Sequence, residues 1–374
     1  MLREHISRHR ERVMAVLRGE TPDIIPLFRE APMDVTAFSN LLPSLTGDRF
    51  RDELAFARFF DNASCAVGVP VRRSTRSRDQ AHHCYEYETG AVWREDYTPT
   101  FCRTPIHFPV NTPDDTVHYT MIEACAPGRL DEAELARRIA AYQEAGYFVE
   151  GGVMGAWMGI YYYLTAFDNI LMWMISEPMA AHTLFDMTSR FSLDSAAILL
   201  RNGVDAIFTA SDLGSGNGLL FSRSMFREYV FPWLHKLAAL CHAHDAILHL
   251  HSHGHIREIM DDIIEAGVDM INPIGPSDHN DLAIFKEHWG DRIVLNGGVS
   301  TCIADMNEPE LRAHLEEVMR IGGIGGRFFP RTESGIPPMS AQKFWLYLEI
   351  LRELREQGYT AAESSAASIE GRHV

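Results

Sequence analysis

The chain has 374 residues, 46% hydrophobic and 23% charged, enough for one large core or two smaller ones. Its 34 basic and 51 acidic side chains leave a formal net charge of −17, which argues against nucleic acid or an acidic membrane as the main partner. Six cysteines (Cys65, Cys84, Cys102, Cys125, Cys241, Cys302) are scattered without a Cys-x-x-Cys pair. The start Met-Leu-Arg-Glu-His carries no apolar signal core, and the longest apolar stretch, 151–175, is broken by Asp168, Asn169 and glycines. The expectation is a reduced, cytoplasmic protein that does not insert into membranes.

In chain order, residues 4–18 set Ile6, Val13, Met14 and Leu17 among charges, an amphipathic helix that stops at Gly19. Residues 24–28 read as a short first strand, followed directly by Arg29 and Glu30, which are either groups at a barrel rim or a structural ion pair. Over 67–110, aromatic and β-branched residues alternate with polar ones around Thr89-Gly90, predicting an antiparallel β-hairpin excursion. The basic cluster Arg72, Arg73, Arg76 and Arg78 beside it reads as a solvated loop or an anion-facing patch. A helix is predicted over 127–146. A repeating rhythm follows: strand 147–149, helix 178–201, strand 205–210, helix 222–242, the histidine-rich strand, and strands at 269–272, 292–296 and 326–331. Strand alternating with helix means a parallel sheet. Seven or so strands, with no phosphate-cradling Gly-x-Gly-x-x-Gly at the first turn, favour an α/β fold closed as a (β/α)8 TIM barrel over an open dinucleotide-binding sheet. Residues 1–360 are read as one barrel domain, and 361–374, containing Ile369-Glu370-Gly371-Arg372, as a disordered tail or protease-cleavage linker.

The stretch 246–255, Ala-Ile-Leu-His-Leu-His-Ser-His-Gly-His, spaces His249, His251 and His253 by two at the end of an apolar run, which is strand spacing with all three on one face. Ligands sit at the carboxyl ends of barrel strands, and neutral imidazole is a common metal ligand, so His251 and His253 are candidate metal ligands; a run of hydrogen-bonded structural histidines is the alternative. By the same argument Glu150, Asp212, Asn272, Asn296 and the turn at 331–334 point toward one mouth. Asp212, ahead of a glycine-rich turn, is either a functional carboxylate or a cap. Glu333 is a candidate third metal ligand, and Tyr161, Tyr162 and Tyr163 either line an aromatic-tolerant pocket or belong to the core.

Several pieces then fall in a familiar order: Arg12-Val13-Met14-Ala15-Val16-Leu17-Arg18-Gly19-Glu20 with Pro22-Asp23 and Pro26; Gly203-Val204-Asp205-Ala206 through Asp212-Leu213-Gly214; Phe226-Arg227-Glu228-Tyr229-Val230 and Pro232; His251-Ser252-His253-Gly254; Glu265-Ala266-Gly267-Val268-Asp269; Gly297-Gly298-Val299; and Gly335-Ile336-Pro337-Pro338. Together they resemble the uroporphyrinogen decarboxylase superfamily, which includes the cobalamin-linked methyltransferases, and the resemblance implies a distorted (β/α)8 barrel. Decarboxylases of that superfamily carry an Arg-Gln-Ala-Gly-Arg type of loop, where this chain has Phe28-Arg29-Glu30-Ala31-Pro32-Met33. The methyltransferase branch carries His-x-Cys-Gly and a second cysteine, which bind zinc. Here His251 keeps the histidine, His253 replaces the first cysteine and Ser334 stands at the second.

What the resemblance implies is a zinc-dependent methyltransferase with the metal on His251 and His253 and Glu333 in place of a thiolate. Such a nitrogen and oxygen shell suits polarising an oxygen, as in demethylation of a methoxy compound. Asp212 or Glu150 would be the general base or proton donor, with Arg29, Tyr162, Asn272 and Asn296 on the substrate. No Asp-x-His-x-x-Gly segment is present, so the corrinoid (cobalamin) would arrive on a separate partner protein. Two alternatives stand beside this: a cofactor-free decarboxylase, which Arg29 facing the mouth with Arg72 or Arg73 would favour, and a non-enzymatic metal-binding protein, suggested by the 18 histidines. The methyl donor and acceptor, the direction of transfer and pairing into a homodimer are left open by the residues.

Overall fold

The computed structural model describes residues 8–78, 82–96 and 102–358; the expected tail at 361–374 lies outside them. Strands β1 (Ser64–Gly68), β2 (Arg73–Arg78), β3 (His82–Tyr87), β4 (Val92–Asp96), β5 (Cys102–His107), β6 (Phe148–Val153), β7 (Ala206–Ala210), β8 (Gly214–Ser215), β9 (Gly218–Leu219), β10 (Ile247–His251), β11 (Met270–Ile274), β12 (Val294–Val299) and β13 (Phe328–Thr332) follow in chain order. Seven of them form one curled parallel sheet in the order β1-β6-β7-β10-β11-β12-β13. Parallel neighbours require crossovers, which helices such as Pro178–Arg201, Phe231–His242, Leu282–Trp289 and Glu308–Gly323 supply. Apolar stripes turn these helices toward the sheet, as Leu311, Leu315, Val318 and Met319 do on the last of them. The architecture is a distorted (β/α)8 TIM barrel.

The distortion lies at its seam. The predicted first strand, 24–28, is reduced to an isolated parallel bridge between Leu27 and Asn62. Pro26 has no N–H to give a ladder, and Arg29 stands at φ 58°, which turns the chain out of extended geometry. The segment nevertheless joins the two edges. On one side Ala63 N donates to the Leu27 carbonyl at 2.7 Å; on the other Met33 N donates to the Ile336 carbonyl and Ile336 N to that of Ala31. Glu30 fastens it to β13: its carboxylate accepts from Thr332 N at 2.9 Å, Thr332 Oγ1 at 2.5 Å and Tyr347 OH at 3.1 Å. Glu30 therefore does not pair with Arg29.

Period-two alternation fills the interior in storeys. Phe28, Phe148, Ala206, Met270, Val294 and Phe329 make an apolar floor. Two residues further along their strands stand Glu150, Phe208, Asn272, Asn296 and Arg331, with His249 of β10 beside them, so the next layer is mostly polar.

The antiparallel excursion is a four-stranded sheet, β2-β3-β4-β5, rather than one hairpin, and it starts at Arg73, because Val67 belongs to the barrel strand β1. Arg72 and Arg73 are held by Glu88 and Glu95, and Arg76 stands 3.5 Å from Glu86. Trp93 docks this sheet on the helix Ala156–Tyr163, stacking on Tyr162 at 5.4 Å while its Nε1 donates to the Tyr162 carbonyl. Among the described residues no helix is long and apolar enough to cross a membrane.

Because Glu30 is buried and accepts three hydrogen bonds across the seam, Glu30→Ala is expected to cost on the order of 2–4 kcal/mol in a urea unfolding titration. A loss below roughly 0.5 kcal/mol, the range of a neutral surface change, would show that the seam is held by something else.

Candidate functional site at the barrel mouth

Two strand-end loops run side by side across the mouth. Ser211 N donates to the His251 carbonyl, Gly214 N to that of His253, and His255 N to that of Ser215, while Leu213 N reaches Ser252 Oγ. This zip brings the loops so close that a Cβ on Gly254, itself at φ 85°, would sit 2.0 Å from the Gly214 carbonyl carbon. Glycine is obligatory there on both counts.

The zip sets Asp212 against the histidines. Its Oδ1 accepts from His253 N at 3.0 Å and lies 3.8 Å from His251 Nε2. Strand β10 ends at His251, so His253 is already in the loop and its ring is perpendicular to that of His251, centroids 4.8 Å apart. His253 Nδ1 meets Asp278 Oδ2 at 2.9 Å, and His251 Nδ1 faces the Asn272 side-chain amide at 3.2 Å. The two imidazoles are pushed in opposite directions. The hydrogen bond to Asp278 raises His253, with the charge of Asp212 in support. Burial, reinforced by the His253 and Arg331 charges, pushes His251 down to about 3 and keeps it neutral.

Two expected site residues are engaged differently. Glu333 is not a free metal ligand: its Oε2 accepts from Ser277 N and Oγ at 2.9 and 2.6 Å, and its Oε1 from Thr301 N and Oγ1 at 3.0 and 3.3 Å. Four donors saturate the carboxylate, which clamps the loops after β11 and β12 to the end of β13. Glu150 is not at a strand end, because β6 runs on to Val153, and it is buried in the polar layer below the mouth. There Glu150 Oε1 lies 2.6 Å from His249 Nδ1, and Oε2 lies 3.6 Å from Arg29 Nη1. Burial works to raise the Glu150 carboxyl, but the facing His249, with Arg29 and Arg331 beyond, outweighs it and holds the group below its ordinary value.

Asn272 and Asn296 are buried, and Asn272 stands beside His251 on the neighbouring strand. Beside the histidines opens a cavity of about 900 Å³, bounded by Val67, Met154, Met158, Tyr162, Phe208 and Ala210. Phe208 connects the two parts, with its ring 5.9 Å from His251. Tyr162 and Tyr163 line this cavity, whereas Tyr161 packs against Trp157 and Phe167.

A catalytic zinc takes three protein ligands, usually with one open position. Among the described residues no three His, Cys, Asp or Glu side chains converge as a metal-binding group. His251 and His253 keep their Nε2 atoms open, but the third and fourth ligands are missing: Glu333 is saturated by four hydrogen bonds and Ser334 offers no thiolate. The donors as placed do not fit a resident zinc.

A model of the uroporphyrinogen decarboxylase (URO-D) family matches residues 105–342. The chain belongs to the uroporphyrinogen decarboxylase family. No curated protein matches it. Among solved structures, this family member is similar to a methyltransferase from Methanosarcina mazei at 18% identity, with 93% of this chain and 98% of that one covered and a TM-score of 0.67. It is also similar to an L-ribulose 3-epimerase (14% identity, 66% and 86% covered, TM-score 0.40). A third is the D-psicose 3-epimerase of Clostridium cellulolyticum H10 (10%, 63% and 84%, TM-score 0.36). The first of these shows the same fold over nearly the whole chain. Within the family frame, sequence reasoning passed over Asp278, which carries no local signal, and the pairing of His249 with Glu150. The period-two spacing did place His249 on the face of His251.

Two outcomes follow from this geometry. Asp278→Asn should lower the His253 pKa in an NMR titration while leaving His251 neutral through pH 5–8. Since the folded value of His253 is raised, its contribution to stability is complete below about 6.5, the unfolded value, and is lost as pH rises through the folded value; in Asp278→Asn that window should narrow. An unmoved His253 titration would show that Asp278 does not set its charge. Gly254→Ala should separate the zipped loops and cost on the order of 2–4 kcal/mol in thermal unfolding, and a variant of parental stability would contradict the close approach.

Proposed function

We propose that the chain is a methyltransferase that moves a methyl group between a small methylated molecule, of the methoxy class, and a corrinoid carried by a separate protein. The observation that carries this reading is the His251–His253 pair, with Asp212, set beside a roomy, largely apolar cavity at the mouth of a barrel. The methyltransferase similarity over 93% of this chain supports it. The corrinoid, as the partner's cargo, supplies a cobalt centre able to accept or give a methyl group. This chain would hold the methyl-bearing molecule against Met154, Met158 and Tyr162, with its oxygen toward the histidines.

Breaking a methyl–oxygen bond leaves an electron pair on oxygen, which needs a proton or a positive field in the transition state. His253, fixed through Nδ1 by Asp278, would give that proton from Nε2 and regain one from solvent. Neutral His251 would hold the oxygen in place. No step passes through a metal. The cofactor-free decarboxylase reading loses its specific support, because Arg72 and Arg73 are held by Glu88 and Glu95 and do not join Arg29 at the mouth.

The test is methyl exchange between methoxy compounds and free cob(I)alamin or methylcobalamin, followed spectroscopically. Turnover is expected in the parent and should drop at least about 100-fold in His253→Ala, the range for losing a proton donor. Turnover should survive a strong zinc chelator, with elemental analysis showing no stoichiometric zinc. No exchange with any methoxy compound would refute the reaction. One zinc per chain, lost in His251→Ala/His253→Ala together with activity, would instead restore a metal mechanism.

A further inference from the structure

The polar layer beneath the mouth holds a half-buried cation that has acidic neighbours but no direct partner among the described residues. Arg331, at an inward position of β13, makes no hydrogen bond or ion pair among the described residues, and its Nε is sealed from solvent without a partner. Glu30 is occupied by Thr332 and Tyr347; Glu150 meets His249 through Oε1, while its Oε2, 3.6 Å from Arg29 Nη1, has no hydrogen-bond partner among the described residues. A guanidinium does not shed its proton in a protein, so neutralisation is not open to Arg331 as it would be to a lysine or histidine.

Its neighbours are orphaned as well. Both amide atoms of Asn296, the Asn272 Oδ1 and the His249 Nε2 are sealed and without hydrogen-bond partners. Asn296 and His249 have no exposed surface, and Asn272 is 1% exposed. Folded interiors leave few such groups, and here they come from four adjacent strands and converge on one layer.

We propose that this layer binds the carboxylate group of the small-molecule substrate, with the Arg331 guanidinium as its planar fork and the Asn296 side-chain amide as a further donor. Fork and carboxylate match in geometry and charge, which neither water nor a neutral group does. The carboxylate is an anchor and is not the bond that breaks, because a guanidinium stabilises the ground-state charge that decarboxylation must disperse. Anchored there, a molecule extending toward Phe208 brings its far end to His251 and His253. The inference names a substrate class for the site proposed above, and rests on that reading in taking the mouth as the entrance.

Acetate, lactate and benzoate, each beside its amide, would be titrated into the full chain by calorimetry and by thermal shift. At least one acid is expected to bind and raise Tm while its amide does not. Arg331→Gln should weaken that acid at least 10-fold and Asn296→Ala several-fold, while Arg76→Gln, on the exposed sheet, should leave it unchanged. Should Arg331→Gln fail to fold, Arg331→Lys keeps the charge and loses the fork, and is expected to weaken the acid several-fold. The inference is overturned if no acid is distinguished from its amide, or if the folded Arg331 variants bind it as the parent does. Acid binding without methyl transfer would remove the proposed reaction alone; methyl transfer without acid discrimination would remove this inference alone.

Discussion

The Glu30 carboxylate is the contact on which the interior depends. A parallel sheet of seven strands has two open edges, and here they are joined by a segment too irregular to be a strand, anchored at Leu27 on one side and by Glu30 on the other. Buried, and satisfied by two backbone and two side-chain donors, Glu30 fixes β13 against that segment. Arg29 and Arg331 thereby come into the layer that also holds Glu150. Without that closure the charges would face water, where they would interact weakly.

Above an aromatic and aliphatic floor the barrel changes character within two residues of each strand. The same alternation that packs Phe148, Met270, Val294 and Phe329 below puts Glu150, Asn272, Asn296 and Arg331 above. A polar layer enclosed by protein is tolerated only where its groups find partners, from the chain or from a ligand. Glu150 Oε1 and His249 Nδ1 find each other, whereas Asn296 and Arg331 make no hydrogen bond among the described residues. The asymmetry separates residues that build the layer from residues that await something in it.

Much of the architecture was legible in the chain. Apolar runs between amphipathic helices announce a parallel barrel, and the strands from 205 onward appear near their expected positions. The first strand was not legible as an exception, since Ile24-Ile25-Pro26-Leu27-Phe28 has strand composition and only the position of Pro26 and the turn at Arg29 weaken it. The excursion at 67–110 was visible as antiparallel structure, but not its extent. Nor was it visible that Trp93 seats it on Tyr162, so that the sheet docks beside the cavity. For Glu333 a carboxylate near a strand end looked like a ligand, but four hydrogen bonds from two distant loops make it a clamp.

The sequence by itself determined periodicity: which face of each strand is apolar, where helices start and stop, and that His249, His251 and the end of their strand share one side. These are local properties, set by a spacing of two or of three to four residues. Tertiary structure alone decided partnership. His249 meets Glu150 from 99 positions away, and His253 meets Asp278 across 25. Arg331 meets no partner among the described residues, although acidic side chains surround it. Which charges are neutralised and which are left open depends on distances across the barrel, and no spacing along the chain encodes them.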